Sequence, residues 1–277
     1  MENTSQDIVV GYDGSPAADL ALMWAARTAS LANLPVTAVM VEDQYAAQGS
    51  APGRELEPEQ TAFVSDVLSE TGAQGKLERR VGTVVPVLLE AARDASILVV
   101  GSHGRGSVAG ALLGSVSQHV ARHAACPVVV VRASADPAAR RIVVGIDGSG
   151  GSAAALEFAC RRAELTGEDV VAVHAWKTSS VIVDRQGQLP NVIGAMIEDA
   201  EILLSESVAG VRAKHPDVTL RQEGIPVAPG QALVDASATA SLVVTGSHGR
   251  GAFAGMLLGS VSHDLLMRAH CPVVIVR

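Results

Sequence analysis

Two stretches of the sequence are nearly identical, and together they decide the fold. Residues 101–117 read GSHGRGSVAGALLGSVS and residues 246–262 read GSHGRGAFAGMLLGSVS, with differences at three of seventeen positions. Each stretch follows a short apolar run, 97–100 or 242–245, and each ends in Gly-Ser-Val-Ser before a segment with helical apolar spacing. This order predicts a strand, a glycine-rich loop and the start of a helix.

The glycines of both copies predict a cradle for an anion, most plausibly a nucleotide. Gly101 and Gly104 bear no side chains, so the backbone N–H groups beside them can approach a charged oxygen closely. Gly114 and Ser115 stand where a helix begins, and unpaired N–H groups at a helix start favour phosphate. Ser115 and Ser117 add hydroxyl donors. The second copy repeats the set with Gly246, Gly249, Gly259, Ser260 and Ser262.

The repeat extends over the whole chain. Residues 8–15 read IVVGYDGS and residues 142–149 read IVVGIDGS. We therefore predict two domains, 1–134 and 140–277, joined by a small-residue linker that contains Pro137. A single glycine loop would equally well mark a tight turn, but two near-identical copies whose flanks have diverged favour the anion site.

Apolar strands alternate with helical patterns in each half. The strand runs are continuous and rich in valine, which indicates parallel strands buried on both faces. The alternation predicts right-handed crossovers and an α/β, doubly wound sheet in each half. The predicted strands are 7–12, 36–42, 76–81, 97–101 and 127–132, then 141–146, 169–175, 218–223, 241–246 and 272–277. The predicted helices are 16–33, 58–73, 84–95 and 112–124, then 151–166, 191–214, 229–239 and 257–269.

Asp13 and Asp147 end the first strand of each half. Ligands of doubly wound sheets bind beyond the carboxyl ends of the strands, so each aspartate is expected to line one crevice with its glycine loop. The carboxylate either caps the following helix or hydrogen-bonds ribose or adenine, or helps to hold a metal. Residues 43–57 and 177–190 are rich in Gly, Pro, Gln and Ser, which predicts mobile loops over the crevices.

Each glycine loop also carries a histidine and an arginine. His103 and His248 either contact phosphate or tolerate the turn. Arg105 and Arg250 either neutralise phosphate charge directly or raise the local potential.

Composition excludes several classes of protein. Aromatic residues make up 3% of the chain and the net charge is −8, which argues against base-stacking platforms and a basic nucleic-acid face. No apolar run approaches the roughly 20 residues of a membrane span. The start, MENTSQD, lacks the features of a secretory signal. The three cysteines show no zinc spacing and are expected to be buried free thiols in a reducing cytosol, so we predict a cytoplasmic protein.

Motifs of common phosphate and acyl chemistry are missing from the sequence. It contains no G-x-x-x-x-G-K-[ST] loop and no G-x-S-x-G elbow. No residue pattern marks a base that would activate an attacking water. This favours a ligand-binding protein with little chemistry.

These features resemble the universal stress protein family in its tandem two-domain form. The family pattern G-x2-G-x9-G-[ST] is met by Gly101, Gly104, Gly114 and Ser115, and again in the second half. The resemblance implies two five-stranded sheets of order 3-2-1-4-5, an adenine nucleotide alpha hydrolase-like fold, that bind ATP with or without Mg²⁺.

The resemblance also implies roles for single residues. The aspartate contacts the nucleoside, backbone near Val41 or Ala175 contacts adenine, and the loop with Gly-Ser-Val-Ser holds the phosphates. The predicted binding set therefore also includes Gly14, Ser15, Val116, Gly148, Ser149 and Val261. Gly150-Gly151, where the first half has Pro16-Ala17, is expected to loosen the second helix start. This difference, together with Ala175 at the place of Val41, predicts that the two sites bind the nucleotide with different affinities.

Family members commonly pair through the last strand. The two halves are therefore expected to form a pseudo-dimer, and two chains a homodimer. We predict an ATP-binding stress protein that regulates protein partners. A slow Mg²⁺-dependent ATPase or phosphotransferase, and a scaffold with structural ATP, are the alternatives.

Overall fold

The computed structural model describes residues 7–42, 58–104, 113–177, 192–251 and 257–277, without the side chains of residues 192 and 193. The predicted loop at 43–57 lies outside the described residues, as do Arg105 and all of the predicted loop at 177–190 except residue 177. The chain divides into two compact units, Met1–Ala133 and Ser134–Arg277.

The first unit alternates strands and helices. Its strands are β1 (Ile8–Gly11), β2 (Val36–Glu42), β3 (Gly75–Val81), β4 (Ile97–Gly101) and β5 (Val128–Val131). Its described helices are α1 (Pro16–Ala32), α2 (Pro58–Thr71), α3 (Val84–Ala91) and α4 (Ser115–His123). The strands pair in parallel in the order β3-β2-β1-β4-β5.

The second unit repeats this topology. Its strands are β6 (Arg141–Gly145), β7 (Asp169–Ala175), β8 (Leu220–Ile225), β9 (Leu242–Gly246) and β10 (Val273–Val276). Its described helices are α5 (Gly150–Thr166), α6 (Val192–Lys214), α7 (Pro229–Ser237) and α8 (Ser260–Arg268). The order is β8-β7-β6-β9-β10, again parallel. The predicted doubly wound α/β fold with strand order 3-2-1-4-5 is confirmed in both units.

Local sequence explains where the site-bearing elements begin. The Ser15 hydroxyl accepts a hydrogen bond from the N–H of Ala18 at 3.3 Å, and Pro16 occupies the first turn of α1. Ser149 caps α5 in the same way through the N–H of Ser152 at 3.2 Å. The central strands are apolar and buried on both faces, as in Ile97–Gly101. Each unit therefore holds the carboxyl ends of its strands in fixed register.

Some predicted boundaries were wrong. The strand predicted at 218–223 is Leu220–Ile225, because the chain turns at 215–218 through the bond from Val218 N–H to His215 O at 3.2 Å. The helix predicted at 84–95 ends at Ala91. The helices predicted at 112–124 and 257–269 begin at Ser115 and Ser260 instead. Residue 112 lies outside the described residues, while the extended backbone of Gly114 and Gly259 keeps both residues out of the helix.

The cysteines and the helices bear on two further predictions. Cys126, Cys160 and Cys271 are buried and free, as predicted. Burial raises the pKa of the Cys160 thiol to about 11. None of the helices in the described ranges is both long enough and apolar enough to cross a membrane.

Candidate functional site

Each unit contains a cavity at the carboxyl ends of its central strands. The first has a volume of about 460 Å³ and the second about 410 Å³. Both volumes fall in the range of small-molecule sites, roughly 300–1,000 Å³. The predicted crevice is therefore present twice.

An aspartate after the first strand lies at one side of each cavity. Asp13 Oδ1 accepts the N–H of Ser15 at 3.0 Å. In the second unit, Asp147 Oδ1 accepts the N–H of Ser149 at 3.0 Å and its hydroxyl at 2.6 Å, and Oδ2 accepts the N–H of Arg250 at 2.9 Å. Each carboxylate is thus oriented by the turn that also provides the serine cap.

The charge of Asp147 is set by these contacts. Burial by itself opposes ionisation of the carboxyl group, but the hydrogen bonds from Ser149 and from the N–H of Arg250 outweigh it. The pKa of Asp147 is consequently lower than its ordinary value. The second cavity therefore holds a fixed negative acceptor at neutral pH.

The loop glycines allow the carboxylates to approach the loops. A Cβ at Gly104 would lie 2.7 Å from Asp13 Oδ2, and one at Gly249 would collide with Asp147 Oδ2. Any larger residue would separate the aspartate from the loop. The second glycine of the family pattern thus allows the loop after β4 or β9 to lie against the aspartate of the same unit, a contact that spacing alone does not reveal.

The opposite side of each cavity is the start of a helix. Gly114 precedes α4 and Gly259 precedes α8, and neither helix start has a side-chain cap among the described residues. The N–H groups of the first helical turn have no intrahelical partner, so they and the helix dipole favour an anion. These helix starts line the cavities through residues 115–117 and 260–262.

Some predicted donors have partners within the protein. The N–H of Gly114 donates to Ser102 O at 2.7 Å, and the N–H of Gly259 donates to Ser247 O at 2.7 Å. The Ser117 hydroxyl donates to Gly101 O at 2.6 Å and so fastens the helix to β4. The prediction that this hydroxyl donates to phosphate is therefore corrected. Ser262 repeats this bond to Gly246 O at 2.8 Å. The anion cradle of these residues therefore rests on the helix-start amides.

The loop histidines and Arg250 have defined contacts beside the cavities. Nδ1 of His103 lies 2.8 Å from Ser102 Oγ, and Nδ1 of His248 lies 3.0 Å from Ser247 Oγ, so each ring is anchored beside its cavity. The Arg250 guanidinium lies over the turn at Gly148, where an added Cβ would be 2.5 Å from Nη2. Arg250 contributes to the wall of the second cavity.

Most of the predicted site residues line the cavities. In the first cavity these are Asp13, Val41, Gly101, His103, Gly104, Gly114, Ser115, Val116 and Ser117. In the second they are Asp147, Ala175, Gly246, His248, Gly249, Arg250, Gly259, Ser260, Val261 and Ser262. Gly14, Ser15, Gly148 and Ser149 do not line the cavities; they form the turn that holds each aspartate.

Sequence reasoning missed the apolar walls. Leu88 of α3 and Leu233 of α7 line the two cavities and contact the strands through Gly11 and Gly145. Their matching distances from Gly101 and Gly246 in the repeat could have identified them. Each cavity therefore combines a carboxylate, an apolar wall and a cluster of backbone donors, which suits a ligand with a flat apolar part and an anionic end.

Comparisons with known proteins agree with the duplicated architecture. The profile of the universal stress protein family matches residues 4–132 and again 138–277. Universal stress protein Rv2005c of Mycobacterium tuberculosis is 38% identical over 289 residues, covering 98% of this chain and 96% of that protein. Universal stress protein Rv1996 of the same organism is 35% identical over 305 residues, covering 100% and 96%.

A solved structure shows the same fold over the full length. The crystal structure of a universal stress protein from Archaeoglobus fulgidus has a TM-score of 0.69 and 18% identity, with 99% of this chain and 98% of that chain covered. Since the family profile matches both halves and the relatives align end to end, the chain belongs to the universal stress protein family, as a tandem of two family domains.

Proposed function

We propose that this protein binds ATP in both cavities and acts as a nucleotide-dependent regulator in the stress response. One observation carries the proposal: in each unit an oriented aspartate and an uncapped helix start face each other across one cavity. The aspartate can accept hydrogen bonds from the nucleoside, and the helix-start amides can donate to the phosphates.

The walls between these two ends support an adenine ligand. Val41 is the penultimate residue of β2 and Ala175 is the last residue of β7, and both line a cavity together with its aspartate. Leu88 and Leu233 supply further apolar surface. A flat base gains from burial against such surfaces. Both predicted adenine walls are thus available to the ligand that the sequence pattern suggests.

Regulation follows if ATP binds one conformation more tightly than another, because a ligand shifts a population only through its differential affinity. We place this regulator in the cytoplasm, as a homodimer that contacts protein partners. Mg²⁺ accompanies the triphosphate as part of the ligand.

The proposal is tested by measuring how many ATP molecules each chain binds. Native mass spectrometry and isothermal titration of the full chain, with Mg²⁺ and with EDTA, should give two ATP per chain. Ser115→Glu should remove one ATP, Ser260→Glu the other, and the double variant both, because a carboxylate at the first helical position repels phosphate. Glutamate there favours the helix itself, so loss of binding would not reflect unfolding.

A matched control places the same charge elsewhere. Gly210 is exposed on α6 and an added Cβ there meets nothing within 4 Å, so Gly210→Glu should retain both ATP molecules. Gly114→Glu and Gly259→Glu provide a second pair of blocking variants. Wild-type protein that binds no ATP at millimolar concentration would refute the proposal. If the wild-type protein releases ADP from ATP and the Asp13→Ala/Asp147→Ala double variant does not, the alternative function of an ATPase would be favoured.

A further inference from the structure

Thr245 sets the second cavity apart from the first. It precedes Gly246 at the carboxyl end of β9, is 6% exposed and lines the cavity wall. Val100 occupies the same place before Gly101 in β4 and lines the first cavity. The two walls therefore differ at this place by one hydroxyl group on a side chain of nearly the same shape.

The Thr245 hydroxyl is almost unused by the protein. Within the described parts of the chain it makes one hydrogen bond, to Gly246 O at 3.4 Å, whereas O–H···O bonds usually measure about 2.7–2.8 Å. The other buried hydroxyls of this wall have good partners: Ser152 donates to Ser149 O at 2.9 Å and Ser262 to Gly246 O at 2.8 Å. A buried hydroxyl without a good partner is costly, so a ligand that supplies one gains affinity.

The hydroxyl faces a bare patch of the sheet. At Gly145, an added Cβ would lie 2.8 Å from Leu233 Cδ1 and 3.8 Å from Thr245 Oγ1. The corresponding Cβ at Gly11 would lie 3.0 Å from Leu88 Cδ1 and 3.1 Å from Val100 Cγ1. A ligand resting on this patch meets a leucine in both cavities, but a hydrogen-bonding group in the second alone.

We propose that Thr245 is a specificity-determining residue of the second cavity, which hydrogen-bonds a polar group of the bound nucleoside. This inference rests on the proposed function and refines it. The second cavity selects nucleosides that carry a donor or acceptor at this place, and the first cavity is indifferent to that group. The two cavities then respond to different nucleotide pools although their phosphate cradles match.

The experiment isolates each cavity in the full chain. In the Ser115→Glu variant only the second cavity can bind ATP, and in the Ser260→Glu variant only the first cavity can. In the Ser115→Glu protein, Thr245→Val should weaken ATP binding about fivefold, the usual net worth of one hydrogen bond, while Thr245→Ser should stay within twofold of the parent. In the Ser260→Glu protein, Val100→Thr provides the converse test and should strengthen binding of ATP.

Analogues identify the group that Thr245 contacts. 2′-Deoxy-ATP reports on the ribose hydroxyl, and purine riboside triphosphate reports on the adenine amino group. The analogue lacking the contacted group should bind the Ser115→Glu parent about fivefold more weakly than ATP, with no such difference in Thr245→Val. ATP binding by Thr245→Val within twofold of the parent overturns the inference and leaves the proposed function standing; absence of ATP binding by wild-type protein overturns both.

Discussion

The two units agree in the turns and helix starts around their cavities and differ at some positions of the cavity wall. In both, the glycine before the helix donates its N–H to a loop carbonyl at 2.7 Å, and a buried serine one turn later fastens the helix to the strand. At the cavity wall, however, the first unit has Val41 and Val100 where the second unit has Ala175 and Thr245. The two cavities thus share their helix starts, aspartates and leucines, and differ at these two wall positions.

A second difference lies outside the cavities. In the second unit, His215 is buried between α5 and the end of α6, with Nδ1 2.7 Å from Glu164 Oε1 and Nε2 3.2 Å from Glu157 Oε1. The first unit has Met23 and Ser30 at the places of the two glutamates. The second unit is therefore expected to respond to pH through a contact that the first unit lacks.

The largest effect is expected at the glycines that end β4 and β9. A Cβ at Gly101 would lie 2.6 Å from the carbonyl carbon and oxygen of Ala17, and one at Gly246 would lie 2.7 Å from the carbonyl carbon of Gly151. Backbone cannot yield as a side chain can, so Gly101→Ala and Gly246→Ala should each lower the free energy of unfolding by about 2–3 kcal/mol. Urea denaturation of the full chain, followed by circular dichroism, measures both.

The control for these variants is Gly210→Ala, at an exposed position of α6 with open space around the added Cβ. It should raise the free energy of unfolding by about 0.5–1 kcal/mol. A Gly246→Ala protein as stable as Gly210→Ala would contradict the close approach of α5 to the end of β9.

The histidine contact comes next. The hydrogen bond with Glu164 raises the pKa of His215 above its ordinary value; burial opposes this, and Glu157 adds to the increase. Charged His215 therefore stabilises the fold fully below about pH 6.5, its ordinary pKa, and the contribution is lost as pH rises through the higher folded-state pKa. His215→Gln should cost about 1–2 kcal/mol at pH 6 and much less at pH 9.

A double-mutant cycle separates this contact from its surroundings. Lys214 lies 3.5 Å from Glu157 and Arg161 also faces that carboxylate, so a single variant changes several charges at once. The coupling between His215→Gln and Glu164→Gln, from urea unfolding at pH 6 to 9, should shrink as pH rises. A coupling free energy that is constant over this range would mean that the contact is uncharged.

The cavity wall gives a smaller effect on stability. Val100→Thr buries a hydroxyl with no better partner than Thr245 has, and should lower the free energy of unfolding by about 1 kcal/mol. Thr245→Val removes that cost and should raise it by a similar or smaller amount. Unfolding midpoints in urea decide the sign for both variants. A destabilised Thr245→Val protein would show that its hydroxyl is well bonded within the fold.

The sequence predicted the helices and strands well because their signals are local, whereas the order of the strands was implied by the resemblance to the universal stress protein family. The continuous valine runs identify buried parallel strands, and the Asp-Gly-Ser turns identify the starts of α1 and α5. The start of β8 was misplaced by two residues because the turn that delays it depends on one hydrogen bond, from Val218 to His215.

The contacts within the candidate site were harder to predict from the sequence than the helices and strands were. The glycine loop identified the residues that line the cavities, but not that Ser117 and Ser262 use their hydroxyls on strand carbonyls. Those bonds depend on how the helix returns to its strand, over sixteen residues. Leu88 and Leu233 escaped notice because a leucine on an apolar helix face indicates a core position, and only the fold shows which core residues border a cavity.

The smallest expected effect on stability concerns the first turns of α1 and α5. Gly150-Gly151 in place of Pro16-Ala17 suggested a looser start for α5, yet Ser149 caps it with φ −84° and ψ 162°, close to Ser15 at −81° and 156°. An added Cβ at Gly150 meets nothing within 4 Å. The folded states therefore match, and the difference resides in the unfolded chain, which is less restricted with glycine than with proline.

Gly150→Pro should accordingly raise the free energy of unfolding by about 0.5 kcal/mol, and Pro16→Gly should lower it by a similar amount. The extended backbone of Ser149 suits a residue before proline, and the first helical position needs no N–H donor. Urea unfolding measures both changes, and ATP binding should not change in either variant. If Gly150→Pro destabilised the protein, the two helix starts would differ in the folded state after all, and the second aspartate turn would be shaped by its glycines.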